Sequence, residues 1–285
     1  MEYIEVNDRL NETSVKICYD DVGEGLPVVL IHGWPLSKEM WEYQVNDLVE
    51  AGYRVITYDR RGFGMSSRPW HGYDYDTLAD DLKALIDHLN LDQVTLVGFS
   101  MGGGEVVRYF SRHGGQRVAR VALISAITPY LLKTDDNQDG VARSTFIEMS
   151  TNIKEDRINF LDDFGKKFFG VNLVNKPVSA PLLDYFRMLA AVSSPRATLG
   201  CLDAFAYTDF RDEMKLVNVP TLIVHGDADK IVPPEPTSYK AAKSIADNHI
   251  TIYSGAPHGL FVTETERLNK DLIEFIQEAV TSAVY

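Results

Sequence analysis

Cysteine is scarce in this chain. Cys18 and Cys201 are the only two among 285 residues, and they are far apart with no C-x-x-C spacing. That excludes a disulfide framework and a cysteine-based zinc site. No apolar run approaches the roughly 18 residues that suggest a membrane span. The opening residues 1–6 carry Glu2 and Glu5 and no apolar stretch of the signal-peptide kind, so no leader is expected there. A reducing cytoplasm is the expected compartment. Basic charge is short as well: 28 Lys and Arg stand against 41 Asp and Glu, a formal net charge of −13. This balance excludes nucleic acid as a partner, because its phosphates select basic patches, and it disfavours an anionic membrane surface. There is no H-E-x-x-H helix. The glycine turn at Gly62-Phe63-Gly64 lacks the G-K-[ST] ending of a phosphate loop and is incomplete as a dinucleotide fingerprint. No metal, haem or nucleotide cofactor is expected.

Strand-length apolar runs alternate with helical patterns. Strands are expected at 28–31, 54–58, 94–97, 118–124, 219–224 and 250–253. Helices are expected at 38–51, 75–89, from 101 onward, at 237–245 and at 264–280. In 75–89 the residues Leu78, Leu82, Leu85, Ile86 and Leu89 fall on one helical stripe. This alternation gives an α/β fold, a mostly parallel sheet flanked by helices. From about 129 to 210 the strands disappear and helical segments follow one another. The chain therefore divides into a core of residues 1–128 and 211–285 and an inserted helical cap of residues 129–210.

Gly98-Phe99-Ser100-Met101-Gly102 fits G-x-S-x-G, and it lies between a strand and a helix. That context makes it a nucleophile elbow with Ser100 as the nucleophile. The glycines let strand and helix approach closely. A tetrahedral intermediate needs two backbone N–H donors for its oxyanion. One is Met101, the residue after the nucleophile. The other is Trp34, in the loop that follows the strand Val28-Val29-Leu30-Ile31. Pro35 restricts Trp34, and a modest rotation there would aim the Trp34 carbonyl into the site. His32 reads as a residue that shapes this loop by hydrogen bonding.

An elbow of this type takes its partners in the order Ser, then Asp or Glu, then His. Seven histidines compete for the base. His258 is the choice, because Gly255-Ala256-Pro257-His258-Gly259 forms a loop between a late strand and the last helix. The preceding strand ends in His225-Gly226-Asp227-Ala228-Asp229 and offers two carboxylates. The farther one, Asp229, is expected to orient His258, and Asp227 to stabilise the turn. Asp59 and Arg60 are expected to tie down their own glycine turn. The aromatics of residues 129–210 should pack that segment, with Phe164, Phe168 and Phe205 also lining an apolar substrate pocket, joined by Ile231.

These motifs, with Leu30-Ile31-His32-Gly33-Trp34-Pro35, Tyr58-Asp59-Arg60-Arg61-Gly62-Phe63-Gly64 and Ser194-Pro195-Arg196-Ala197-Thr198, resemble the metal-free haloperoxidase (perhydrolase) and aryl-esterase group of the α/β-hydrolases. The resemblance runs from about residue 28 to 276. It implies the triad Ser100, Asp229 and His258, with Trp34 and Met101 at the oxyanion. It implies hydrolysis of small aryl or short-acyl esters without metal or haem. It also implies acyl transfer to hydrogen peroxide, giving a peracid that oxidises halide. The partners expected are thus a small ester and hydrogen peroxide; a homo-oligomer is compatible with the sequence, which fixes no subunit number. Haloalkane dehalogenases and epoxide hydrolases share the fold but use a carboxylate nucleophile, and Ser100 argues against both. A carbon–carbon bond hydrolase or a ligand receptor on the same frame would keep the triad, and both stay open here.

Overall fold

The computed structural model describes residues 1–8 and 13–282. An eight-stranded sheet runs in the order β1-β2-β4-β3-β5-β6-β7-β8. Its strands are β1 (Glu2–Asp8), β2 (Thr13–Val22), β3 (Pro27–Ile31), β4 (Arg54–Tyr58), β5 (Val94–Phe99), β6 (Val118–Ile124), β7 (Thr221–Gly226) and β8 (Asn248–Tyr253). β1 pairs antiparallel with β2 and β2 antiparallel with β4, and every other pairing is parallel. All residues of β3 and β5 are buried. Both faces of these strands are therefore covered, which is why they read as nearly continuous apolar runs, with Thr95 of β5 the one polar side chain.

The sheet helices are α1 (Glu42–Glu50), α2 (Tyr75–His88), α3 (Met101–His113), α7 (Ser238–Ser244), α8 (Leu260–Thr263) and α9 (Thr265–Ser282). α1 packs with α9, and α2 with α3. Between β6 and β7 come α4 (Arg143–Phe168), α5 (Ala180–Val192) and α6 (Pro195–Tyr207), with α4 packed on both others. Local chemistry starts several of these helices. The Asp74 side chain accepts the Thr77 N–H at the head of α2, and Ser179 and Ser194 do the same for α5 and α6. Such caps contribute about 1 kcal/mol each. α4 is bent at Asp156, whose backbone leaves the helical region at φ −150°. The Asp156 carboxylate accepts the Asn159 N–H at 3.0 Å and restarts the helix beyond the bend.

Two features differ from the reading of the sequence. The first 25 residues yielded no strand, yet β1 and β2 form the antiparallel edge of the sheet. Ile4 and Val6, then Val15, Ile17 and Tyr19, are buried on a two-residue period. The helix expected over 38–51 opens instead as a 3₁₀ turn, Lys38–Trp41, before α1. There the Met40 N–H donates three residues back to Ser37 O at 3.1 Å, and the Lys38 N–H donates to Asp59 at 2.8 Å.

Candidate active site

β5 ends at Phe99 and α3 starts at Met101, leaving Ser100 alone to make the turn. Its φ of 53° and ψ of −116° are unfavourable for a residue with a side chain. Such strain typically costs on the order of 1–3 kcal/mol and persists only where the surroundings hold it. Here the Ser100 N–H donates to Ile124 O at 2.9 Å, and Ser100 O accepts from Gly103 N–H at 3.0 Å. The close approach is possible only with glycine at two positions. A Cβ on Gly98 would lie 2.7 Å from Gly102 O, and one on Gly102 would lie 2.6 Å from Ile31 O.

The structure brings Ser100, His258 and Asp229 together at the carboxyl ends of β5, β8 and β7. Ser100 Oγ lies 2.9 Å from His258 Nε2, and His258 Nδ1 lies 2.6 Å from Asp229 Oδ2. A carboxylate only accepts, so Nδ1 carries the proton and Nε2 is free to accept from the serine hydroxyl. Asp229 Oδ1 accepts the N–H groups of Ile231 and Val232, both at 2.8 Å. Burial opposes ionisation of this carboxyl, but His258 and His225 outweigh it and hold Asp229 well below the usual carboxylate range. Asp227 is exposed, and its Oδ1 accepts the Gly255 N–H at 2.5 Å. It joins the aspartate loop to the histidine loop and does not reach the imidazole nitrogens. A second tie comes from α4, where Phe168 O accepts the Gly259 N–H at 2.8 Å.

His32 is fully buried. Its Nε2 accepts the Arg60 N–H at 3.0 Å and its Nδ1–H donates to Gly33 O at 2.9 Å. Burial, reinforced by the Arg60 guanidinium, pushes the imidazole pKa well below its ordinary value, so the ring is neutral. Arg60 also donates to His32 O at 2.7 Å and pairs with the buried Glu105, which accepts the Tyr58 hydroxyl at 2.6 Å. Asp59 accepts N–H bonds from Lys38 and Met65, so the glycine turn is tied down as its residue types suggested. This buried network fixes the loop that carries Trp34. The Trp34 indole N–H donates to Thr198 O of α6 at 2.9 Å, and its ring meets Phe164 and Phe205 edge-on at 5.2 and 5.3 Å. Gly33 O takes the Leu36 N–H in this turn, and the Trp34 N–H has no part in that bond. Met101 is the first residue of α3, where N–H groups have no acceptor within the helix.

A cavity of about 430 Å³ opens above Ser100 and His258. Trp34, Phe164, Phe205 and Ile231 line it, as do Phe146 and Phe160. Phe168 does not. Its ring stands against the His258 imidazole, 4.8 Å between centres at 89°, outside the cavity lining. Phe168 points there because it sits in the last turn of α4, where the helix meets the histidine loop. Phe146 and Met149 escaped the reading of the sequence, although they repeat with Phe160 and Phe164 at intervals that keep one face of α4 on the cavity. His225 was passed over as a base and is buried beside Asp229, four residues away. Among the described residues no group of three or more His, Cys, Asp or Glu side chains could hold a metal ion, and no helix is long and apolar enough to cross a membrane.

The family model described as the alpha/beta hydrolase fold matches residues 27–265. A non-heme chloroperoxidase of Kitasatospora aureofaciens is 42% identical over 93% of this chain and 97% of its own. A bifunctional esterase/perhydrolase of Acinetobacter calcoaceticus is 36% identical over 97% of this chain and 100% of its own. The crystal structure of a bromoperoxidase from Bacillus anthracis superposes with a TM-score of 0.92 at 46% identity, covering 97% of this chain and 100% of that one.

Proposed function

Since the chain belongs to the α/β-hydrolase family, we propose that it is a serine esterase working through an acyl-enzyme on Ser100, with perhydrolase activity toward hydrogen peroxide. The observation that carries this reading is the continuous Ser100–His258–Asp229 hydrogen-bond chain beneath an apolar cavity. Ser100 Oγ attacks the ester carbonyl while His258 Nε2 takes its proton. The carbonyl oxygen becomes an oxyanion facing the N–H groups of Trp34 and Met101, each such donor contributing about 2.7–4 kcal/mol. Asp229 holds the imidazole in register and stabilises the imidazolium without taking its proton. His258 then protonates the departing alcohol. Water, activated by His258, attacks the acyl carbon in the second half and releases the acid. Hydrogen peroxide in its place gives a peracid, an oxidant for halide ions. No step calls on a metal or an organic cofactor.

Residues 129–210 serve in this proposal as a cap over the core formed by 1–128 and 211–285. The cavity wall supplied by Phe146, Phe160, Phe164 and Phe205 suits a small aryl or short-acyl ester. The related haloperoxidases and esterase/perhydrolase favour this reading over a carbon–carbon bond hydrolase or a receptor. A cytoplasmic location accords with two buried, unpaired cysteines.

The test is hydrolysis of p-nitrophenyl esters of graded acyl length, with and without peroxide and with and without EDTA, in wild type and Ser100→Ala. Wild type is expected to favour short chains, to form peracid and to ignore the chelator. The variant is expected to lose about 10⁴–10⁶ in kcat and to resist labelling by a fluorophosphonate. Retained activity with another serine labelled overturns the assignment.

A further inference from the structure

Asp229 Oδ2 faces two imidazoles. His258 Nδ1 lies 2.6 Å from it, and on its other side His225 Nε2 lies 3.3 Å away. His225 is fully buried at the end of β7. Its protonation can be derived from its partners. Nε2 faces Val232 O at 2.8 Å and the Asp229 carboxylate, and both groups only accept. Nε2 therefore carries the hydrogen. Nδ1 faces the Ser238 hydroxyl of α7, which donates to it. The Ser238 hydroxyl thus donates to His225, the His225 Nε2–H donates to Val232 O with Asp229 Oδ2 3.3 Å away, and Asp229 accepts from His258, which in turn accepts from Ser100.

From this arrangement we infer that His225 is a positioning residue that sets the proton affinity of His258 by sharing Asp229 Oδ2. The inference rests on the reading of Asp229 as the triad acid. A carboxylate oxygen that already faces one N–H is a weaker acceptor for a second. The imidazolium formed at His258 is therefore held less tightly than an unshared carboxylate would hold it. A histidine that only filled space beside β7 would have no such effect.

The other charged groups around His258 are accounted for. Asp227 and Lys230 lie on the aspartate loop, and α4 contributes Glu148, Glu155, Asp156, Asp163 and Lys167 to the cavity lining. All seven are exposed. None of the substitutions below changes any of them.

The experiment is the pH dependence of kcat/KM for a neutral p-nitrophenyl ester, whose acid limb reports the free enzyme's base. His225→Phe removes the shared donor and is expected to move that limb up by about half a pH unit or more. His225→Gln keeps an N–H near the position of Nε2 and is expected to leave the limb close to wild type. Ser238→Ala leaves the ring in place but weakens its donor, and a smaller upward shift is expected. Activity that falls in His225→Phe with an unmoved or lowered limb overturns the inference. If His225→Phe does not fold, an unmoved limb in Ser238→Ala does so. Asp229→Asn separates the two claims: if that variant remains active, the triad assignment itself fails, whereas an inactive Asp229→Asn with an unmoved limb in His225→Phe defeats this inference alone.

Discussion

Phe168 stands perpendicular to His258, and Phe99 presses on the same imidazole at 5.0 Å between ring centres. The imidazole thus packs against two aromatic rings, one from β5 and one from α4, which also meet each other at 5.9 Å between centres. An aromatic contact of this kind contributes about 0.5–1.5 kcal/mol. Phe168→Leu should therefore lower kcat about two- to tenfold while leaving acyl-length preference unchanged. Rates across acetate, butyrate and hexanoate esters check this, and a changed length profile would return Phe168 to the substrate pocket.

Asp227 and Asp229 differ by two positions and by environment. Asp229→Asn should cost several orders of magnitude in kcat, because both tautomer control and imidazolium support are lost. Asp227→Asn keeps an oxygen that can accept from Gly255 and should change kcat only a few-fold. Inactivity of the second variant alone would reverse the assignment.

Phe205 touches Trp34 and lines the cavity. Phe205→Ala should admit longer acyl chains. One methylene in such a pocket is worth about 1–3 kcal/mol, so the hexanoate-to-acetate ratio of kcat/KM should rise at least about fivefold. A ratio that stays fixed while both rates fall would make Phe205 a packing residue only.

Arg60 and Glu105 are each about 1% exposed and pair beneath the loop of Trp34. Breaking one side of a buried pair leaves an uncompensated charge at a cost of about 3–5 kcal/mol. Glu105→Leu should lose stability on that scale in urea unfolding and lower kcat as the His32–Trp34 loop loosens. A midpoint close to wild type would show that the Arg60 charge finds compensation elsewhere.

The proposed triad stands out in the sequence because each member sits in a loop whose glycines and prolines mark it between a strand and a helix. Ser100, Asp229 and His258 needed only the chain order and that punctuation. The parallel strands were legible from burial on both faces, which leaves β3 wholly apolar and β5 with Thr95 as its one polar side chain. The edge hairpin was harder. In β2 the alternation of Val15, Ile17 and Tyr19 is interrupted by the buried Cys18. Phe168 and Phe164 have the same residue type on the same helix, and four positions of helical rotation and rise put only one of them on the cavity. His225 was hidden because its importance lies in what it touches, and a lone histidine at a strand end carries no periodic signal.

The insertion point of α4, α5 and α6 has a longer consequence. The chain departs after β6 and returns at β7, two strands that are neighbours in the sheet. Ser100 lies before this excursion, and Asp229 and His258 lie after it. Lengthening, shortening or exchanging the excursion would therefore leave the backbone register of the proposed triad intact. Descendants of such a sequence can diversify what they accept while inheriting how they cleave it, and two lineages with the same chemistry can part company in one contiguous stretch of gene.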